Sequence, residues 1–211
     1  MVQQVATEWP SQQRASVRSQ ATRTDGRRSQ RRLLDAAGQL LSQRKQFSLA
    51  DVASAAGLST ATAYRHFSSA DDVTLAFGAG FFDEIESRAG AGPLELDSLC
   101  RLWVRTVLDW GPSLAHLRSR EGLLARRARG DARVGRLLDL IEPVLKGELA
   151  SRSAGVPSSE GLSYLVAVWN ALADPREVLD QYSTLGWSPA RIAGQLERSV
   201  EAVIAHRAVA H

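Results

Sequence analysis

The chain has a single cysteine among its 211 residues, Cys100, which excludes an internal disulfide framework and any Cys-rich zinc site. A reducing compartment, the cytoplasm, is the expected location for such a chain. No apolar run approaches the ~18–20 residues that span a bilayer. Met1 to Pro10 has neither the basic start nor the apolar stretch of a secretory leader. No segment alternates apolar and polar positions with β-branched residues, so strands are not expected. No repeat of fixed period is visible. Nucleophile elbows, phosphate-binding loops, full dinucleotide-binding glycine motifs and paired-histidine zinc motifs are all missing. The four histidines, His66, His116, His206 and His211, show no metal-ligand spacing with carboxylates or with Cys100. No catalytic residue, cofactor or metal is therefore expected. Cys100 itself reads as a small buried hydrophobe rather than a redox sensor.

What is present is an ordinary globular mix, 44% hydrophobic and 23% charged. A chain of this length makes one or two domains and buries roughly 70% of its unfolded surface. The net charge is +3 but is unevenly spread. Residues 1–70 carry ten Lys or Arg against four acids, and residues 71–211 carry sixteen against nineteen. A basic front and a mildly acidic rear suit a polyanionic partner. A solvated basic tail would look the same on charge alone.

Residues 1–25 are rich in Gln, Ser, Thr and Arg, with no sustained period. They read as a flexible basic arm, because too little apolar surface offsets the cost of ordering them. Helix 1 is expected from about Arg27 to Arg44, with Asp25 as its cap and Leu33, Leu34, Ala37, Leu40 and Leu41 as its apolar stripe. Helix 2 follows Ser48, whose spacing to Asp51 makes a capping box. Gly57 supplies the positive φ that ends it. Ser59 caps a short third helix, Thr60 to about His66. Ser68 or Ser69 caps helix 4, whose stripe is Val73, Phe77, Phe81 and Ile85, with Gly78 and Gly80 marking tight packing. Ala89 to Pro93 ends that helix. The rear continues as four or five helical segments. Breaks are expected at Gly111-Pro112, near Gly130-Asp131, over 153–158, at Asp174-Pro175 and over 186–189. Pro143 should bend or interrupt the helix that holds it.

The informative segment is 48–67, SLADVASAAGLSTATAYRHF. Two short helices joined through Gly57 can cross tightly only if small residues sit at the crossing, as Ala53 and Ala63 would. Leu58 would plug the angle between them. These are the requirements of a helix-turn-helix, whose second helix enters a major groove about 12 Å wide. Ser59, Thr60, Thr62, Tyr64, Arg65 and His66 all donate hydrogen bonds, and no acid occurs from Val52 to Ala70.

These residues resemble the TetR family of transcriptional regulators. The resemblance runs from Leu33-Leu34-Asp35-Ala36-Ala37, through Leu49-Ala50-Asp51-Val52-Ala53, to Ala56-Gly57-Leu58-Ser59-Thr60-Ala61-Thr62-Ala63-Tyr64-Arg65-His66-Phe67. It covers residues 27 to about 77. It implies an all-α fold, with a three-helix DNA-binding domain at 26–70 joined by helix 4 to a helical effector-binding and dimerisation domain at 71–211. It also implies site roles. Thr60, Ala61 and Arg65 would lie nearest base edges, and Thr62 and Tyr64 would meet phosphates or bases. Ser59 and His66 belong to the same surface. Ser48 and Leu49 would offer backbone N–H groups to a phosphate. Packing alone is the other role open to Tyr64, and Phe67 is expected in the core. Two departures stand out. Ala70 occupies the place of a phosphate-binding Lys, and the Lys45-Gln46-Phe47 loop lacks the usual Gly.

An effector would sit between apolar rear helices. Trp103, Trp110, Tyr164, Trp169 and Asn170 are placed to line such a cavity, with His116 and Arg118 as polar contacts. Core packing is the alternative for each. Helices over 158–173 and 189–206 are apolar on more than one face, the second through Ile192, Leu196, Val200, Val203 and Ile204. Two such helices from each protomer would make an isologous four-helix contact. The leading expectation is a homodimeric repressor released from an operator by a small molecule. The alternatives are a non-specific DNA-binding or adaptor protein and a helical enzyme.

Overall fold

A computed structural model describes the backbone of residues 9–43, 46–117, 122–152 and 158–209, and side chains from residue 24 to residue 206 within these ranges. The described residues form helices and no strand: α1 (Trp9–Ser42), α2 (Leu49–Ala55), α3 (Thr60–His66), α4 (Ala70–Ala89), α5 (Leu96–Trp110), α6 (Pro112–His116), α7 (Leu123–Ala128), α8 (Ala132–Arg152), α9 (Ser159–Leu172), α10 (Pro175–Ser183) and α11 (Pro189–Val209). None is long and apolar enough to cross a membrane.

The chain divides into two compact units, residues 1–40 with 45–75 and residues 41–44 with 76–211. The division falls inside α4, five residues beyond the expected boundary at residue 70, because Val73 is still fully buried with the first unit. The core of the first unit is small: Leu33, Ala37, Val52, Ala53, Ala63 and Phe67 are its centre. Small side chains dominate, so the helix backbones approach closely.

α1 begins at Trp9 rather than near Arg27, and it takes in most of the stretch expected as an irregular arm. Asp25 therefore lies within the helix and is not its cap. The Gln, Arg and Ala residues there have good helix propensity but no apolar stripe, so the periodic signal starts only where packing starts.

Among the described residues, the rear holds seven helices rather than four or five, because α6 and α7 are short, with 5 and 6 residues. The expected breaks at Gly111, Asp174-Pro175 and Ser188-Pro189 coincide with helix boundaries, and Gly111 turns with φ 60. Pro143 does not interrupt α8. Its missing N–H deprives only the Asp139 carbonyl, and Asp139 is exposed, so water can serve that group.

The second core centres on Phe81, Ile85, Leu99, Ile141, Leu165 and Trp169. α4 is fitted to it at two glycines. A Cβ on Gly80 would lie 3.3 Å from the Trp110 ring, and one on Gly78 would lie 3.4 Å from Leu117. Its acids and Arg88 set the register with the neighbouring helices. Arg136 of α8 donates to Asp83 and Glu86, and Arg88 donates to Asp109 of α5 at 2.7 Å. α11 packs along α5, α8 and α9, and this consumes its apolar stripe: Ile192, Leu196, Val200 and Ile204 are buried within their own chain.

Cys100 is fully buried in this core. Burial, and then the carboxylates of Glu197, Asp97 and Glu201, push its thiol up to about 12. A thiolate-selective reagent at mildly alkaline pH should therefore label the native protein no faster than it unfolds. Rapid stoichiometric labelling of folded protein would show that the thiol is accessible.

Candidate nucleic-acid interface

Local chemistry fixes both short helices. Ser48 Oγ accepts from the Asp51 N–H at 3.2 Å, and the Asp51 carboxylate accepts from the Ser48 N–H at 2.8 Å. This is the expected capping box. It also corrects one expectation: the Ser48 N–H is already occupied, so it is not free for a phosphate. The Leu49 side chain is buried in the first core, so only its backbone could meet a ligand.

The hydrogen bonds from the Ser48 N–H and then the Ser48 hydroxyl hold the Asp51 carboxyl below its ordinary value of 3.8. A lowered carboxylate stabilises the fold at pH above the unfolded value, and that contribution is lost as pH falls through the folded one. The carboxylate half of the cap is thus intact at neutral pH and fails only in acid. Ser48→Ala removes the hydroxyl half and should cost about 1 kcal/mol at neutral pH by chemical denaturation. The gap between variant and parent should narrow once Asp51 is protonated; a gap that widened in acid would contradict the box.

The turn between α2 and α3 is closed by backbone bonds. The Leu58 N–H donates to the Ala53 carbonyl at 2.9 Å and the Gly57 N–H to that of Ser54 at 3.0 Å, a Schellman pair around Gly57 at φ 63. Ala53 and Ala63 are both essentially solvent-free, as their place at the crossing requires, and Leu58 is half-buried. Phe67 is 4% exposed and ends α3 in extended backbone.

The outward face of α3 carries the predicted contact residues. Ser59, Thr60, Ala61, Tyr64 and Arg65 are exposed, and Thr62 and His66 are half-buried. Tyr64 is 60% exposed, too much for packing to be its main task. Ser59 Oγ accepts from the Thr62 N–H at 3.2 Å and lies 2.9 Å from Thr62 Oγ1. Arg65 Nη2 in turn donates to Thr62 Oγ1 at 3.1 Å. Ser59–Thr62 and Thr62–Arg65 are successive i, i+3 pairs, so this chain of bonds holds the Arg65 guanidinium along α3, and a guanidinium has four further N–H donors. At the start of α4, the Asp72 carboxylate takes the Ser68 N–H at 2.8 Å and the Asp72 N–H reaches Ser69 Oγ at 3.1 Å, so Ser69 is the cap.

The second unit brings together part of the expected effector set. Trp103 and Trp169 meet edge to face at 6.2 Å, and Phe81 touches both Trp103 and Trp110 at 5.6 Å. Trp110 also lies 4.7 Å from Phe77 and donates its indole N–H to Glu84 at 2.8 Å. The Trp103 N–H reaches the Ala173 carbonyl at 2.8 Å, whereas the buried Trp169 N–H has no acceptor among the described residues. Tyr164 and His116 are exposed and Asn170 is half-buried. Arg118 lies outside the described residues. A separate open groove of about 440 Å³ is lined by Arg88, Arg101, Leu102, Arg105 and Asp109, none of them in the expected set. Sequence reasoning also missed Arg32, which reaches the turn from α1 over 24 residues of chain. No short-range pattern announces such a bond.

A capped helix-turn-helix that presents an acid-free polar helix at the front of an all-α chain defines a DNA-binding transcriptional regulator. Residues 33–77 match the model of the bacterial regulatory proteins of the tetR family. The first unit thus carries the DNA-binding signature of the TetR family. Its fold is similar to that of the fatty acid degradation regulator FadR from Bacillus halodurans, with a TM-score of 0.58, 15% sequence identity, and coverage of 81% of this chain and 93% of that one. A protein from Mesorhizobium loti assigned to the same family aligns with a TM-score of 0.49 and 19% identity, over 85% of this chain and 96% of that one. No curated protein sequence matches the chain.

Proposed function

We propose that this regulator is a sequence-specific, homodimeric repressor whose α3 reads an operator and whose second unit takes a small-molecule effector. The outward display of Tyr64 and Arg65 on a helix capped at Ser59 carries this reading. Thr60, Ala61 and Arg65 read base edges, and Ser59, Thr62, Tyr64 and His66 complete the contact surface. Two such helices in a dimer must stand about 34 Å apart, or a multiple of that, to enter successive major grooves on one face. Pairing through α9, with α11 beside it, is supported by Tyr164 and Leu172, large apolar side chains left exposed on α9.

The effector reading is supported by the Trp169 N–H. A buried donor without an acceptor is unusual and costly, and a carbonyl or ether oxygen of a ligand lodged against Trp103 and Trp169 would satisfy it. α4 contributes residues to both units, so a ligand that prefers a non-binding arrangement of the chain would weaken DNA binding. DNA would weaken the ligand by the same factor.

Selection by the full chain from a pool of randomised duplexes tests the DNA reading. Recovery of a palindrome with half-sites one or more helical turns apart is expected. A pool with no enriched sequence would favour the non-specific adaptor.

The stretch 1–25 belongs to the same proposal, as an added set of phosphate contacts through Arg14, Arg18 and Arg23. Deleting it should flatten the salt dependence of DNA affinity by about 0.9 for each phosphate that the arm neutralises. An identical slope before and after deletion would remove the stretch from the interface.

A further inference from the structure

The turn between α2 and α3 is held from outside as well as from within. Arg32 Nη2 donates to the Ala56 carbonyl at 2.5 Å and lies 3.4 Å from that of Gly57. Both carbonyls lie at the C-terminal end of α2, where the helix has run out of its own N–H groups and its dipole is negative. The Schellman pair serves Ala53 and Ser54 but not Ala56. A guanidinium supplies the missing donor with a charge-assisted bond. The approach is close: a Cβ on Gly57 would lie 2.9 Å from Arg32 Nη2. Glycine is required at residue 57 by its φ of 63, and a side chain there would also crowd the guanidinium.

The geometry points to Arg32 as a positioning residue for DNA recognition, which fixes from α1 the turn that presents α3 and does not itself touch DNA. α3 has seven residues, too few to hold its own direction in water. It is anchored at its inner face by Ala63 and at its far end by Phe67. Its near end is set by the backbone of residues 56–58. Arg32 is the neighbour of Leu33, a fully buried residue at the centre of the first core, so its stem leaves a firmly packed stretch of α1. The bond joins this firm part to the one segment whose dihedral angles decide where Tyr64 and Arg65 point. No sequence pattern or family-model match assigns Arg32 this part, and the inference rests on α3 being the DNA-reading helix.

Arg32→Met removes both charge and donor, and Arg32→Lys keeps the charge on a shorter stem without the planar fork. The probes are a duplex selected by the wild-type chain and a random duplex of equal length. For both variants, affinity for the selected duplex is expected to fall about tenfold while affinity for the random duplex and the salt slope stay unchanged. Backbone hydrogen exchange without DNA should quicken at Leu58 but not at Ala37 in α1. Three results would overturn the inference. Unchanged affinity for the selected duplex would leave Arg32 a merely stabilising residue. Equal losses on both duplexes in Arg32→Met, with a slope flatter by about 0.9 and recovery in Arg32→Lys, would make it a phosphate contact. Exchange quickened equally at Leu58 and Ala37 would mean a general loss of stability. If the wild-type chain selects no sequence, the operator reading fails on its own, and exchange at Leu58 still decides the part played by Arg32.

Discussion

Tyr64→Ala is expected to weaken binding to every duplex alike, whereas Arg65→Ala is expected to change which duplex is preferred. Tyr64 presents a ring with one polar tip, suited to a phosphate oxygen, and phosphates carry no sequence information. Arg65 is already held along α3 by Thr62, so its remaining donors form a pre-oriented fork of the kind that pairs with guanine. Its loss, and that of Thr60, should each remove ~1–3 kcal/mol of discrimination at one or two base positions. Competition binding against single-base variants of a selected site measures both effects. If Tyr64→Ala and Arg65→Ala both left affinity and preference intact, α3 would not be the reading helix.

The second large effect lies in the other unit. Trp103→Ala should destabilise the fold by ~3–5 kcal/mol, because it empties a packed site beside Trp169 and Phe81 and orphans the Ala173 carbonyl at the end of α9. The phenylalanine variants separate the two causes. Trp103→Phe still abandons that carbonyl. Trp169→Phe removes a donor that has no acceptor among the described residues. Trp103→Phe should therefore cost more, by an amount on the order of one buried hydrogen bond, ~1–3 kcal/mol. Equal costs in urea denaturation would mean that the Trp169 N–H is satisfied in solution. The same Trp169→Phe variant should lose affinity for any effector that bonds there while its DNA affinity is retained.

Much of the DNA-binding head is legible because its chemistry is local. The Ser48–Asp51 box, the Ser59 cap and the positive φ at Gly57 each involve residues within four positions of one another, and each appears where the pattern places it. The stripe of α4 likewise predicts the burial of Val73, Phe81 and Ile85. Where a local rule has no purchase, the reading runs short. The first half of α1 has propensity without a stripe, so its extent back to Trp9 is invisible to a periodicity test.

Periodicity also names an apolar face without naming what covers it. The stripe of α11, expected at a contact between protomers, is buried against its own α5, α8 and α9. The amino-acid sequence by itself determined the all-helical class, the helix-turn-helix with its caps, and the polar, acid-free outer face of α3. These follow from dihedral preferences, capping and a 3.6-residue period, all of which act over a few residues. Only the tertiary structure decided that Arg32 serves the Ala56 carbonyl across 24 residues, that Trp103 serves Ala173 across 70, and that the Trp169 N–H meets no acceptor among the described residues. Partners that distant are chosen by how whole helices pack, and packing depends on every side chain in the core at once.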